Sequence, residues 1–72
     1  MELQKYIDEL DRIQMEGAFV FIKWDGEREK NRKTVLIEKP DSNFLFRRDT
    51  DDLVTTLKEG IAEYDAAFSK SI

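Results

Sequence analysis

Seventy-two residues allow one domain at most, since a second core would leave each half below the size that folds unaided. The chain has 39% charged residues, a net charge of −4, no cysteine and no histidine, which excludes disulfides, cysteine- or histidine-ligated zinc and nucleophilic catalysis by either side chain. No apolar run approaches the roughly 18 residues of a membrane span, and Met1-Glu2-Leu3-Gln4-Lys5 lacks a signal-peptide pattern, so the expectation is a small cytoplasmic domain spanning 1–72 with no membrane partner.

The charge is segregated. Residues 1–22 carry two basic against five acidic side chains and residues 49–72 carry two against six, whereas residues 23–48 carry eight basic against five acidic. A positive middle between negative ends can steer partners although the total is negative.

In chain order, Leu3, Tyr6, Ile7, Leu10 and Ile13 recur with the period of an amphipathic helix and predict one over about 2–16, closed by Gly17 as a left-handed cap. Lys5 with Glu9 and Asp8 with Arg12 are spaced to pair along it. Ala18 to Trp24, rich in aromatic and β-branched residues, predicts a strand. Asp25-Gly26 starts a turn into a charged loop. Arg32 to Lys39 predicts a second strand, ended by Pro40 and the turn residues Asp41-Ser42-Asn43, and Phe44 to Arg48 a short third.

Leu53, Val54, Leu57, Ile61, Tyr64 and Phe68 form the stripe of a closing helix. Asp49 or Thr50 is the expected cap, Asp51 and Asp52 favour the first turn, and Lys70 lies near the end. Gly60 costs about 1 kcal/mol relative to alanine inside a helix. It predicts close approach of a bulky neighbour, with Trp24 or Tyr6 as candidates. The order helix–strand–strand–strand–helix predicts an α+β domain in two layers, with a three-stranded antiparallel sheet carrying both helices on one face.

A sheet with one solvated face should alternate apolar and polar residues, and these strands do not. Assigning Val20, Ile22, Trp24, Val35, Ile37, Phe44 and Phe46 to the helix side leaves Phe19, Phe21, Leu36 and Leu45 on the outer face, bordered by Lys23, Thr34, Glu38 and Arg47. Such a patch approaches the size at which apolar surface marks a contact. The first strand is also an apolar edge with few charges to block pairing with another copy. The candidate interaction surface is therefore Phe19, Phe21, Lys23, Leu36, Leu45 and Arg47.

Nothing in the sequence assembles catalytic chemistry. The three glycines are isolated, so no phosphate loop is present, and Asp49-Thr50-Asp51-Asp52 lacks the glycine and distant glutamate of an EF-hand loop. No cofactor or metal is expected, and the acidic run reads as helix capping. A nucleic-acid surface would draw on Arg28, Lys30, Arg32, Lys33, Arg47 and Arg48.

Gly17-Ala18-Phe19-Val20-Phe21 resembles in part the aromatic strand motif of RNA-recognition modules, although Glu16 stands where a basic residue is usual. The element order resembles in topology the double-stranded RNA-binding fold. That resemblance implies an RNA duplex as ligand, but Asp49, Asp51 and Asp52 stand where the family carries its basic cluster. The reading that follows is a non-enzymatic interaction module. It binds a protein partner or itself through the outer sheet face or the edge strand, with nucleic-acid binding through the basic hairpin as the alternative.

Overall fold

A computed structural model describes residues 2–68. The elements run α1 (Glu2–Met15), β1 (Phe19–Trp24), β2 (Lys33–Glu38), β3 (Leu45–Thr50) and α2 (Leu53–Phe68). The three strands form one antiparallel sheet in the order β1-β2-β3. The architecture is α-β-β-β-α, in the α+β class.

The apolar stripes of the helices meet the sheet on one side. Tyr6, Leu10 and Ile13 of α1 pack with Leu57, Ile61 and Tyr64 of α2 over Val35, Ile37 and Phe46. Val20 and Ile22 of β1 border this core but stay half-buried. Burying each large side chain is worth about 1.5–3 kcal/mol, so this layer is the main source of stability.

Local chemistry fixes the joints. Gly17 adopts φ 100°, and the amides of Ala18 and Gly17 donate to the carbonyls of Ile13 (3.3 Å) and Gln14 (2.9 Å). These two bonds turn the chain sharply from α1 into β1, as a Schellman motif does. α2 is capped by Asp52, whose carboxylate accepts from the Thr55 amide at 3.1 Å and the Thr55 hydroxyl at 2.9 Å.

The cap differs from the sequence expectation. Asp49 and Thr50 extend β3 instead of starting α2, because Asp49 is held across the sheet by Thr34. Lys70 lies outside the described residues.

Three further expectations are corrected. Gly60 does allow close approach, but the neighbours are Phe46 and Ile37 rather than Trp24 or Tyr6: a Cβ there would lie 2.8 Å from Phe46 Cε2 and 3.1 Å from Ile37 Cδ1. Trp24 has the helix-side parity but remains 62% exposed, so it adds little to the core. Along α1, Arg12 pairs with Glu9 (2.7 Å), Glu16 (3.4 Å) and Asp65 of α2 (2.9 Å) rather than with Asp8, which accepts from Gln4. Glu9 above all holds the Arg12 guanidinium in its charged form.

Candidate functional site

The strand register lays the outer face out as three rows. Phe19, Glu38 and Leu45 form the first, Phe21, Leu36 and Arg47 the second, and Lys23, Thr34 and Asp49 the third. No helix covers this side among the described residues. Phe19, Phe21 and Leu45 remain 53%, 39% and 59% exposed, with Leu36 half-buried between them. The two phenylalanine rings meet edge to face at 5.9 Å, which holds them as one surface. Glu38 is exposed between Phe19 and Leu45, and Lys23 and Arg47 are exposed at the border. The first two rows thus bring together the side chains that failed alternation pointed to.

The third row is polar and closed. Thr34 is 1% exposed, and its hydroxyl donates to Asp49 at 2.6 Å. Arg28 reaches from the β1–β2 loop to Asp49 (3.2 Å) and Asp25 (3.3 Å), and Arg47 adds a longer pair to Asp49 at 3.6 Å. The Thr34 hydrogen bond, followed by Arg28, holds the Asp49 carboxyl below its ordinary range.

The loop itself is tied by Asp51, which accepts from the amides of Arg32 (2.9 Å) and Asn31 (2.8 Å). Those two bonds lower the Asp51 pKa in turn. Asn31 takes φ 53°, a left-handed conformation that asparagine tolerates. This ordered plug at one end of the face was not legible in the sequence, where Thr34 read as an ordinary rim residue.

The six candidate nucleic-acid cations do not converge on one surface. Arg28 and Arg47 lie at the polar end of the outer face, both paired with Asp49. Arg32 donates to the Arg28 carbonyl at 2.6 Å. Lys33 has the helix-side parity, opposite Trp24 and Thr50. Lys30 is exposed in the loop. Arg48 sits on the helix side, bound to Glu59 at 2.6 Å and stacked over Phe46 with its guanidinium carbon 4.9 Å from the ring centre.

The acidic run is likewise dispersed. Asp49 serves the sheet, Asp51 the loop and Asp52 the helix cap, and among the described residues no carboxylate group is arranged to hold a metal ion.

A groove of about 300 Å³ opens between α1 and β1, lined by Ile7, Leu10, Asp11, Gln14, Val20, Phe21 and Ile22. It exists because β1 is an edge strand that α1 overlaps only in part, leaving Ile7, Val20 and Ile22 half-buried. The sequence pattern gave no sign of it beyond the apolar character of the strand. No described helix is long and apolar enough to cross a membrane. Comparison with protein-family models, curated proteins and solved structures finds no match to this chain.

Proposed function

We propose that this protein is a non-enzymatic cytoplasmic interaction module that docks a partner protein on its open sheet face. The observation that carries the reading is the exposure of Phe19, Phe21 and Leu45 on the two rows of the open face that no described segment covers. At 150–250 Å² per aromatic side chain, the exposed portions come to roughly 300 Å², the size at which apolar patches mark contacts. Covering that area is worth roughly 7 kcal/mol at about 25 cal/mol per Å², enough to contribute substantially once association costs are set against it. Lys23 and Arg47 at the border and Glu38 within the first row supply charges of both signs that would orient the partner.

A non-catalytic role is favoured because the acidic run is engaged in structure: Asp49 with Thr34, Asp51 with the loop amides and Asp52 with Thr55. Partnering of Arg28, Arg47 and Arg48 by carboxylates weighs against the nucleic-acid alternative, since phosphate binding draws on uncompensated cations.

The test is a photo-cross-linking residue placed at Leu45 and, as a control, at Lys58 on the exposed side of α2. The expected result is a discrete protein adduct from position 45, absent from position 58 and lost on adding Phe19→Glu. No adduct at 45, or the same products from both sites, would overturn the proposal. Retention on phosphocellulose that falls steeply with salt would favour the basic hairpin instead.

A further inference from the structure

The open edge of β1 carries a projection and a recess on the same strand. In an antiparallel ladder, alternate residues turn their main-chain groups toward one neighbour. The Asp25 amide donates to the Arg32 carbonyl at 2.7 Å, continuing the β1–β2 ladder, so Phe19, Phe21 and Lys23 face β2 with their main chain. Val20, Ile22 and Trp24 therefore direct their amides and carbonyls outward, where no described strand meets them. Trp24, 62% exposed, lies beyond one end of the α1–β1 groove, whose lining includes Val20 and Ile22.

We infer that two copies of this chain pair antiparallel through β1, centred on Ile22, with Trp24 of each copy seated in the α1–β1 groove of the other. The inference belongs with the reading of the chain as an association module but rests on different residues. A twofold axis at Ile22 sets Trp24 opposite Val20 of the second copy and Lys23 opposite Phe21, so no like charges face each other across the seam. Centring one residue further along would oppose Lys23 to itself.

Trp24 and Val20 share the helix-side parity, so the indole projects on the side where the groove lies. Ile7, Leu10, Val20 and Ile22 offer its rings apolar contact, while Asp11 and Gln14 offer acceptors for its N–H. The exposed part of Trp24 comes to roughly 150 Å² per copy, to which the strand edge and the groove walls add, while Phe19 and Phe21 stay on the open face. The six strands would form one sheet, with both open faces on the same side.

Trp24 is the chain's only tryptophan, so its emission reports the seat directly. The expected result is a dimer by sedimentation equilibrium whose tryptophan emission shifts to the red as dilution dissociates it. Trp24→Ala should weaken association at least tenfold, and Gln14→Arg should do so by filling the groove, both with unchanged circular dichroism of the monomer. Leu45→Glu, on the far strand, should leave the dimer intact. A monomer at every concentration, a dimer that survives both Trp24→Ala and Gln14→Arg, or a dimer lost on Leu45→Glu would overturn the inference. The first of these would leave the docking face to be judged on its own cross-linking result.

Discussion

The two sides of this sheet are built from similar residues and meet opposite fates. On the helix side, Val35, Ile37 and Phe46 are essentially sealed, whereas Phe19, Phe21 and Leu45 on the other side stay substantially exposed. A side chain's hydrophobicity sets what it gains from being covered. The number of elements available to cover it decides whether that gain is realised within the chain. Two helices of 14 and 16 residues cover β2 and β3 on one side and β1 only in part, and no described helix is left for the second.

Truncation should separate the two sides most sharply. Phe46→Ala removes a ring packed under Gly60 and is expected to cost about 3–5 kcal/mol in urea unfolding. Gly60→Ala sharpens the same contrast from the helix. The gain of about 1 kcal/mol in helix propensity is opposed by overpacking against the buried Phe46 ring, which costs about 1–3 kcal/mol, so the net expectation is a lowered urea midpoint. On the open side, Thr34→Val is the exception that should register, losing about 1 kcal/mol with the hydrogen bond to Asp49.

Acid probes that polar end further. Asp49, Asp51 and Asp52 titrate below their ordinary value of 3.8 in the fold. The stability they lend is therefore fully present above that pH and is lost as pH falls through the lowered values. Urea midpoints should be flat above about pH 5 and fall progressively below about pH 4, less steeply in Asp51→Asn. The smallest effect is expected from Leu45→Ser, which should change monomer stability by no more than about 0.5 kcal/mol. A large loss there would mean that the open side is as structural as the closed one.

The element order, strand pairing and the composition of both sheet sides were legible because they follow from period and parity, which a single chain displays. The Phe19–Phe21–Leu36–Leu45 set is an example: alternation alone puts these residues on one side. Legibility ends where a side chain reaches across the fold. Asp49 reads as a helix cap by its neighbours in sequence, yet Thr34, fifteen residues earlier, draws it into the sheet. Gly60 announces a close contact, but which ring approaches depends on how α2 crosses β3. Arg48 counts with the basic hairpin until its parity turns it toward Glu59. The α1–β1 groove depends on how two elements overlap, a quantity no spacing encodes.

The pairing of the first helix with the last has its own consequence. Arg12 meets Asp65 across 53 positions, and the Glu16 carboxylate accepts from the Tyr64 hydroxyl across 48. During synthesis at about 5–20 residues per second, α1 is therefore made seconds before the segment that shelters its greasy stripe. Until then that stripe has only the newly made hairpin to lie against, and α2 acts as the latch that completes the layer.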